Sequence, residues 1–451
     1  MNSNSAESVR LSVIGTGYLG ATHAICMATL GHEVLGLDVD ETKIADLSSG
    51  RVPFFEPGLP ELLDKALDSG RLRFGTSFEA AAEFGDVHFI CVGTPQQPGS
   101  DACDLTYVDA AVRALAPHLT RRSLVVGKST VPVGTARRLA GLIQELAPAG
   151  ADVELAWNPE FLREGFAVDD TMRPDRLVFG LSSEWAGERL DTVFKPILDL
   201  DTPVVRTDLA TAELVKVAAN SFLATKISYI NAMAEICETV GADIKDLADA
   251  LAFDDRIGGK FLRPGLGFGG GCLPKDIRAF AHRAEELGVG QAVSFLREVD
   301  AINRRRRART VDLVRELLDG QLAGARVAAW GAAFKPNSDD IRDAPALDVA
   351  RTMHGLGAHV RVFDPAALDN ARRAYPELRY GDSALDVAED ADVVVLLTEW
   401  SDFRQIDPAV LARVVRHQRI VDGRHALDAA QWRAAGWEYR ALGRPADVVT
   451  R

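Results

Sequence analysis

The sequence of 451 residues is poor in cysteine and has no long hydrophobic run, and both absences reduce the classes of protein to which it can belong. It contains five cysteines, an odd number without metal-ligand spacing, at Cys26, Cys91, Cys103, Cys237 and Cys272. We therefore expect neither a disulfide scaffold nor a metal site, and a reducing cytoplasm is the simplest compartment. Because no apolar run approaches the roughly 18–20 residues of a membrane span, we expect no membrane partner.

Basic charge is also in deficit, with 51 Lys and Arg against 65 Asp and Glu and a formal net charge of -14. Non-specific binding to nucleic acid is not expected from such a balance, and an anionic ligand would need a local basic pocket. The length predicts two or three domains. The polar segment 1–10 leads directly into a strand and is not typical of a signal peptide.

Residues 11–38 have the pattern of a complete dinucleotide-binding βαβ unit. An apolar strand at 11–14 is followed by a Gly-Thr-Gly-Tyr-Leu-Gly loop, a helical pattern at 21–30 and a second strand at 33–37 that ends in Asp38. Glycines let the backbone approach a pyrophosphate, and the helix N-terminus supplies N–H donors. A carboxylate at Asp38 binds ribose hydroxyls and repels a 2′-phosphate, which favours NAD over NADP, although nearby Lys43 weakens that preference.

Three further apolar segments are separated by Ala- and Leu-rich helical patterns, and they lie at 87–92, 123–126 and 153–156. This alternation predicts a doubly wound parallel sheet. Polar clusters follow the segments and contain Thr94, Thr130 and Glu160. Since ligands bind beyond the carboxyl ends of such strands, Thr130 and Glu160 are expected to face one crevice. Turn formation and helix capping are the alternative explanation of these residues.

The middle of the chain predicts one long helix over 208–240. Lys216 and Asn220 lie four residues apart on one face of it, where they could bind an oxyanion; a solvated helix face is the alternative. The run of four arginines at 304–307 is interpreted as a solvated helix surface rather than as a nucleic-acid contact.

A glycine-rich stretch at 265–276 carries the most distinctive chemistry in the sequence. Five glycines precede Cys272, and Pro274 follows two residues later, at a position that suits the first turn of a helix. We therefore predict that Cys272 lies at a helix N-terminus, where the dipole and the N–H groups favour a thiolate. Asp276 is then within side-chain reach of it. The alternative is a glycine-rich turn that holds a small buried cysteine.

The last third resembles a degenerate repeat of the first. A strand at 326–330 is followed by Gly331 but by no complete glycine loop, and a later strand at 359–364 ends in Asp364. Further strands are predicted at 392–397 and 419–421. A phosphorylated ligand here would be held by side chains such as Lys335, Arg342 and Arg424. The whole chain is thus predicted to be α/β, with two Rossmann-like domains joined by a long central helix.

Taken in order, these pieces closely resemble the UDP-glucose/GDP-mannose dehydrogenase family over almost the whole chain. The motifs that carry the resemblance lie at 15–20, 129–132, 158–164, 268–276 and 333–336. One departure is Gly271, where the family commonly has serine. The resemblance implies an N-terminal NAD-binding domain at 1–205, a central helical dimerisation region with the cysteine loop at 206–312, and a C-terminal UDP-sugar-binding domain at 313–451.

The resemblance also implies a reaction, the oxidation of C6 of UDP-glucose to a carboxylate with two NAD⁺, through a thiohemiacetal and a thioester on Cys272. The implied catalytic residues are Cys272 as nucleophile, Lys216 and Asn220 at the oxyanion, Asp276 and Thr130 at the attacking water, and Glu160 in proton transfer. The implied cofactor contacts are Gly15, Gly17, Tyr18, Leu19, Gly20, Asp38, Lys43, Thr94, Thr130, Glu164, Lys275 and Arg342.

Substrate contacts follow from the same resemblance. They are Glu160, Phe161, Leu162, Lys216, Asn220, Arg256, Lys260, Phe261, Arg263, Gly269, Phe334, Lys335 and Arg424. Arg256 is implied to reach the substrate of a neighbouring subunit, so a homodimer or a higher homo-oligomer is expected. The Asp-Gly-Arg sequence that contains Arg424 favours UDP-glucose over GDP-mannose as substrate.

Three alternatives remain open from the sequence. A sister enzyme would act on GDP-mannose or on an N-acetylated UDP-sugar. A dehydrogenase that performs a single alcohol oxidation would not need Cys272. A non-catalytic NAD or nucleotide-sugar sensor would be expected to lack Cys272, Lys216 or Asp276, all of which are present.

Overall fold

The computed structural model describes residues 8–445 of the chain. The interpretation of segment 1–10 therefore lies mostly outside the described residues. The chain divides into two compact units, Met1–Ala219 and Asn220–Arg451.

Within the described residues, the first unit contains an eight-stranded sheet with strand order β3-β2-β1-β4-β5-β6-β7-β8. Its strands are β1 Arg10–Ile14, β2 Glu33–Leu37, β3 Leu72–Gly75, β4 Val87–Ile90, β5 Ser123–Gly127, β6 Val153–Trp157, β7 Leu177–Gly180 and β8 Val204–Thr207. The strand pairs are parallel except at the edge, where β6 meets β7 antiparallel at Trp157 and Gly180. The expected doubly wound parallel sheet is confirmed, and the reversed pair β7–β8 is an addition that the sequence pattern did not predict.

Helices connect these strands, and polar side chains fix where several of them begin. They are α1 Tyr18–Thr29, α2 Glu41–Ser48, α3 Leu59–Asp68, α4 Phe78–Phe84, α5 Thr106–Leu115, α6 Thr135–Leu146, α7 Ala167–Met172 and α8 Glu184–Leu198, with 3₁₀ turns at Ala116–His118 and Gly150–Asp152. Asp40, Ser77 and Ser183 accept backbone N–H groups at the starts of α2, α4 and α8. Such caps satisfy donors that have no partner within the helix.

The long helix α9 spans Leu209–Val240, within one residue of the predicted start, and the division between the two units falls inside it. Lys216 is 4% exposed and Asn220 is 7% exposed. The interpretation of these two residues as a solvated helix face is therefore wrong. Other positions of α9 do present apolar side chains to solvent, among them Phe222, Tyr229 and Ile236.

The second unit contains a six-stranded sheet within the described residues, with order β11-β10-β9-β12-β13-β14 and every strand pair parallel. Its strands are β9 Arg326–Trp330, β10 His359–Phe363, β11 Arg379–Tyr380, β12 Val393–Leu396, β13 Arg419–Asp422 and β14 Glu438–Ala441. This order repeats that of β3-β2-β1-β4-β5-β6 in the first unit. The prediction of a second nucleotide-type fold is confirmed.

The helices of the second unit complete this α/β layering. They are α10 Ile244–Ala252, α11 Leu273–Glu286, α12 Phe295–Leu317, α13 Pro345–Gly355, α14 Leu368–Ala374, α15 Ala384–Ala388, α16 Ser401–Arg404, α17 Pro408–Leu411 and α18 Ala429–Ala434, with a 3₁₀ turn at Gly290–Val293. The core contains all four residues of β12 together with Trp330, each with no exposed surface. Strands buried on both faces are typical of parallel sheets covered by helices.

The arginine run at 304–307 lies on α12 and is only half solvated. Arg304 and Arg305 are exposed, as predicted, but Arg306 is 1% exposed and Arg307 is buried. Arg306 Nη2 lies 2.7 Å from a carboxylate oxygen of Glu238, and Arg307 Nη1 lies 2.9 Å from one of Asp343. The solvated interpretation is wrong for these two residues because carboxylates from distant parts of the chain pair with them.

No helix among residues 8–445 is long and apolar enough to cross a membrane. Over the same residues, no group of three or more His, Cys, Asp or Glu side chains is arranged to hold a metal ion.

Candidate active site

The first unit begins with a glycine loop between β1 and α1 whose shape depends on the missing side chains. Gly15 has φ of +89°, and a Cβ on Gly20 would lie 1.7 Å from the carbonyl oxygen of Gly15. Gly17 caps α1 without a side-chain hydrogen bond, and a Cβ there would meet no atom within 4 Å. No side chain therefore covers the backbone at the N-terminus of α1, which leaves room for the pyrophosphate of a dinucleotide.

Asp38 lies at the end of β2, where the ribose of such a dinucleotide is bound. Its Oδ2 accepts the backbone N–H of Thr16 at 2.8 Å and lies 3.0 Å from Lys43 Nζ. Burial raises the pKa of Asp38, but the backbone N–H groups of Asp40 and Thr16 and the charge of Lys43 outweigh it, so the pKa lies below its usual range. Asp38 is therefore a carboxylate at neutral pH, and it pairs with Lys43, the lysine whose charge weakened the predicted preference for NAD.

The loops after β4 and β5 are tied together at the carboxyl end of the sheet. Ser129 Oγ donates to the carbonyl oxygen of Val92 at 2.7 Å. Thr94 is buried at 7% exposure, while Thr130 is partly exposed next to Ser129. Because β4, β5 and β6 are parallel neighbours, the predicted placement of Thr130 and Glu160 at the same sheet edge is observed.

Glu160 and Lys216 form a nearly buried ion pair in the first unit. Lys216 Nζ lies 2.9 Å from Glu160 Oε1, with the side chains 5% and 12% exposed. Glu160 Oε2 also accepts the N–H of Leu162 at 2.6 Å. Burial raises the pKa of Glu160, but the charge of Lys216 outweighs it and leaves the pKa below its usual range. This carboxylate is therefore ionised at neutral pH.

Aromatic and basic groups surround this pair. Lys216 Nζ lies 5.5 Å from the centre of the Phe161 ring, and the guanidinium of Arg176 lies 3.9 Å from it. The buried Lys128 donates to Asn158 Oδ1 at 2.8 Å. Burial lowers the pKa of Lys128, while the charge of Glu160 opposes that shift. The site in this unit thus combines one carboxylate with several cations, an arrangement that suits an anionic ligand.

In the second unit, Cys272 is the N-cap residue of α11, and Pro274 lies in the first turn of that helix. The side chain is exposed. The prediction that the glycine stretch delivers Cys272 to a helix N-terminus is confirmed, and the alternative of a buried packing cysteine is wrong. A thiolate at this place is favoured by the helix dipole.

Asp276 lies one turn into α11 and is 2% exposed. Its Oδ2 accepts Asn220 Nδ2 at 2.6 Å, and its Oδ1 lies 2.6 Å from Lys275 Nζ. Its backbone N–H donates to the carbonyl oxygen of Cys272 at 3.0 Å. The second unit therefore brings together Cys272, Asp276, Asn220 and Lys275, four of the predicted site residues.

The glycine loop before Cys272 is packed so closely that side chains would not fit without rearrangement. A Cβ on Gly269 would lie 2.3 Å from the carbonyl oxygen of Asp343, and one on Gly270 would lie 2.8 Å from the ring of Phe334. A Cβ on Gly271 would lie 2.2 Å from Cζ of Arg342. Phe334 and Arg342, both predicted site residues, therefore lie directly against the cysteine loop.

Arg424 links three backbone segments of the second unit. Its guanidinium donates to the carbonyl oxygens of Leu397 at 2.8 Å, Gly267 at 3.0 Å and Phe334 at 3.3 Å. Lys335 lies nearby, with Nζ 5.3 Å from the centre of the Phe334 ring. The predicted sugar- or phosphate-binding arginine is thus a residue that also fixes the cysteine loop.

The remaining predicted substrate residues lie on the segment between α10 and the cysteine loop. Arg256, Lys260, Phe261 and Arg263 are all exposed. Arg256 pairs with Asp254 at 2.6 Å, and Phe261 has φ of +61°, a conformation that is rare for a bulky residue.

Three models of one family match successive parts of the chain. They describe the NAD binding domain, the central domain and the UDP binding domain of the UDP-glucose/GDP-mannose dehydrogenase family, at residues 9–198, 210–305 and 328–429. The chain belongs to the UDP-glucose/GDP-mannose dehydrogenase family. The expected family and the expected cofactor NAD are both confirmed.

Relatives within the family match over nearly their full length. A UDP-glucose 6-dehydrogenase from Pseudomonas aeruginosa is 41% identical, covering 97% of this chain and 98% of its own. A UDP-glucose dehydrogenase from Pyrobaculum islandicum has a TM-score of 0.90 at 38% identity, covering 98% of this chain and 100% of its own. A UDP-D-ManNAc dehydrogenase from Pyrococcus horikoshii has a TM-score of 0.84 at 28% identity, covering 96% and 99%.

Two buried carboxylates at the sites of this family member were missed by the sequence analysis. Glu213 accepts the N–H groups of Gly134 at 2.8 Å and Ala136 at 2.6 Å, where α6 begins. Glu56 accepts N–H groups on either side of the start of α7. The partners of both residues lie far away in the chain, so local patterns do not reveal them. The only sequence signal was for Glu56, an acidic residue inside the apolar, proline-flanked segment 52–57.

Proposed function

We propose that this chain catalyses the NAD-dependent, four-electron oxidation of the C6 alcohol of UDP-glucose to the carboxylate of UDP-glucuronate, that is, UDP-glucose 6-dehydrogenase activity. The observation that carries the proposal is the exposed Cys272 at the start of α11, beside Asp276 and Asn220 in a chain of this family. A nucleophilic thiol suits a second oxidation at the same carbon, because its addition to the aldehyde gives an adduct that still carries a C–H bond from which a hydride can leave.

Gly17, whose position has no atom within 4 Å of a Cβ, and the carboxylate of Asp38 would hold NAD⁺ in the first unit, where it would supply the hydride acceptor for both oxidations. In the first oxidation a base takes the C6 hydroxyl proton as the hydride leaves, which gives the aldehyde. Glu160 is ionised, and we assign proton transfer to it. Lys216 carries the charge that stabilises developing negative charge on oxygen.

The second oxidation passes through Cys272. Its thiolate adds to the aldehyde carbon and forms a thiohemiacetal, whose oxyanion we assign to Lys216 and Asn220. Loss of a second hydride converts this adduct into a thioester. Water then attacks the thioester, oriented by Asp276 and Thr130, and releases the carboxylate and the thiol. Cysteine suits both roles because its thiolate is a good nucleophile and a good leaving group.

We further propose the three-part division into residues 1–205, 206–312 and 313–451, with NAD, dimer contacts and the UDP-sugar assigned to them in that order. The exposed side chains Phe222, Tyr229 and Ile236 support the dimer, because their seven-residue spacing puts them on one face of α9. A second copy of this chain is the proposed occupant of that face. Arg256 would then reach the substrate of the partner subunit. Light scattering measures the mass of the particle in solution and so tests whether the chain forms a dimer.

A cytoplasmic location is part of the same proposal. An exposed nucleophilic thiol such as Cys272 must stay reduced to act, and reducing compartments keep thiols in that state.

The test of the reaction is a single assay with purified protein. UDP-glucose and NAD⁺ are incubated with the protein, and NADH and the acidic sugar are both quantified. Two NADH per UDP-glucuronate are expected. One NADH per sugar would identify a dehydrogenase that stops after a single oxidation, and no NADH with retained ligand binding would identify a nucleotide-sugar sensor.

Replacing the nucleophile gives the sharpest prediction for the mechanism. Cys272→Ser is expected to bind NAD⁺ and UDP-glucose with affinities within a few fold of the unaltered protein but to form no UDP-glucuronate, because a hydroxyl neither adds readily to the aldehyde nor leaves readily from an ester. Product analysis by chromatography measures this. Full product formation by the variant would rule out the covalent mechanism.

The second candidate is a sister reaction on an N-acetylated UDP-sugar or on GDP-mannose. One observation favours the N-acetylated UDP-sugar. A UDP-D-ManNAc dehydrogenase is similar in structure over 96% of this chain, at 28% identity. Comparison of kcat/KM for the three nucleotide sugars under the same conditions decides between them, and UDP-glucose is expected to give the largest value.

A further inference from the structure

Glu56 is a buried carboxylate in the first unit that the proposed reaction does not use. It is 3% exposed and lies in the segment just before α3. Its Oε2 accepts the Tyr18 hydroxyl and the backbone N–H of Gly165 at 2.6 Å, and its Oε1 accepts the N–H of Ala167 at 2.7 Å. One carboxylate thus joins the first turn of α1 to the start of α7.

The protonation of this cluster follows from its surroundings. Burial and the hydrogen bond to Glu56 raise the pKa of Tyr18 above its ordinary value, and the charges of Glu56 and Glu164 raise it further. The phenol therefore stays protonated and donates to the carboxylate. The backbone N–H groups of Gly165 and Ala167, at the start of α7, also donate to the carboxylate of Glu56.

The segment that Glu56 holds is the loop that carries Glu160 and Glu164. Arg163 is fixed by Asp170, whose carboxylate accepts both the Arg163 backbone N–H at 2.8 Å and the guanidinium at 2.6 Å. Gly165 is fixed by Glu56. Glu164 stands between these two anchored residues, so its position depends on both anchors.

The other end of the cluster is the dinucleotide loop. Tyr18 is the first residue of α1 and directly follows Gly17, the residue whose open backbone suits the pyrophosphate. The ring of Tyr18 packs on Phe54, with ring centres 4.9 Å apart, and Phe54 lies two residues from Glu56. The Tyr18–Glu56 pair therefore links the loop that begins α1 to the loop that carries Glu164.

We propose that Glu56, held by Tyr18, is a positioning residue that sets the 160–166 loop against the dinucleotide loop, so that tight binding of the nicotinamide cofactor requires it. The inference rests on the proposed function only in taking Glu164 as a cofactor contact. Glu56 touches no reacting atom, and its effect on catalysis is transmitted by Gly165 and Glu164.

The test is a fluorescence titration of the full chain with NADH alone. Glu56→Gln keeps the size of the side chain but loses the charge, and its amide can accept only one of the two backbone N–H groups. Its Kd for NADH is expected to rise about tenfold, and that of Tyr18→Phe about threefold, since a hydrogen bond to a charged group is weakened or lost. Tyr18 and Glu56 contact each other and share the N–H of Gly165, which lies 3.2 Å from the Tyr18 hydroxyl oxygen. Because they act as one cluster, the double variant should bind NADH no more weakly than Glu56→Gln alone.

A stability control separates positioning from folding. Ser77→Ala removes the N-cap bond of α4 in the same unit, far from the loop in the chain, and is expected to lower the melting temperature while leaving the Kd for NADH within twofold. Glu56→Gln and Tyr18→Phe with a Kd within twofold of the unaltered protein, at any melting temperature, would overturn the positioning role. So would additive effects of the two changes.

The outcome is separable from the proposed reaction. If the unaltered protein binds NADH but does not oxidise UDP-glucose, the substrate assignment is wrong, while the ratios of Kd among the variants still support or overturn the role of Glu56. If it does oxidise UDP-glucose, Glu56→Gln should also raise the KM for NAD⁺, a change that loss of folded protein alone would not produce.

Discussion

The two nucleotide-type folds of this chain share the order of six strands but differ in what surrounds the acid after their second strand. Asp38 in the first fold is 9% exposed and accepts four donors, the N–H and the hydroxyl of Thr16, the N–H of Asp40 and the ammonium of Lys43. Asp364 in the second fold is 1% exposed and accepts five donors, from Ala332 N, Ala333 N, Ala366 N, Ala367 N and Trp400 Nε1. The acid of the second fold thus serves the fold itself, whereas the acid of the first fold is proposed to bind a ligand.

The glycine loops differ in the same sense. Gly331 keeps the feature of Gly15, a positive φ of +117° and a Cβ position blocked by Thr398 at 2.4 Å. The next two residues are alanines, and both of their N–H groups are donated to Asp364. In the first fold Asp38 likewise accepts the N–H of Thr16, the residue after Gly15, so the loops differ at the next position. There the N–H of Ala333 is donated to Asp364, whereas the matching residue of the first fold is Gly17, which carries no side chain. Binding of a phosphorylated ligand in the second fold by Lys335, Arg342 and Arg424 stays a prediction.

The largest expected effect comes from removing the acid of the second fold. Asp364→Ala leaves the buried N–H groups of Ala332, Ala333 and Ala367 without this acceptor. Each costs about 1–3 kcal/mol, so we expect a loss of roughly 3–9 kcal/mol in the free energy of unfolding. Urea unfolding followed by tryptophan fluorescence measures it, since four of the six tryptophans lie in the second unit, at Trp330, Trp400, Trp432 and Trp437. A loss below about 1 kcal/mol would remove the contrast between the two acids.

The acid of the first fold should affect the cofactor more than stability. Asp38→Ala is expected to raise the KM for NAD⁺ about tenfold, or about 1.4 kcal/mol of binding free energy, and to raise activity with NADP⁺ relative to NAD⁺ because Lys43 loses its partner. Steady-state kinetics with both cofactors measures this. Asp364→Ala is the matched comparison, and an equal change in the KM for NAD⁺ in both variants would show that the two acids do not differ in role.

The smallest expected effect isolates one donor of the structural acid. Trp400→Phe keeps the aromatic ring buried but removes the indole N–H, which lies 3.1 Å from Asp364 Oδ2. We expect a loss of about 1 kcal/mol in the free energy of unfolding, with the KM for NAD⁺ unchanged. In an Asp364→Ala background the same substitution should cost less. An undiminished cost there would indicate that Trp400 stabilises by packing alone.

Much of the fold could be predicted because its signals are local. The strands at Glu33–Leu37 and Arg326–Trp330 were predicted to the residue, since each is a short apolar run that ends at a glycine or an acid. Cys272 at a helix N-terminus was predictable because the glycines before it permit a tight turn and Pro274 after it suits the first turn of a helix. Strands β7 and β8 were not predicted, because each has four residues and β8 is largely exposed.

The rest depends on contacts between residues that are far apart in the sequence. Arg306 is buried because Glu238, on another helix, pairs with it. Glu56 acts on Gly165, more than 100 residues away, so no pattern around either residue could link them. Conversely, the i,i+4 spacing of Lys216 and Asn220 was visible, but their burial was not, because it depends on which elements cover α9.

Whether position 271 is glycine or serine determines where the guanidinium of Arg342 lies. Arg342 occupies the space that a serine would fill and is held there by Asp340, with Nη2 2.6 Å from a carboxylate oxygen. An exposed pair of this kind is weak, so a serine would be tolerated by the fold while it moves the arginine away from the cysteine loop. Engineering at this position therefore has to be done two residues at a time, with the loop and its arginine redesigned as one unit.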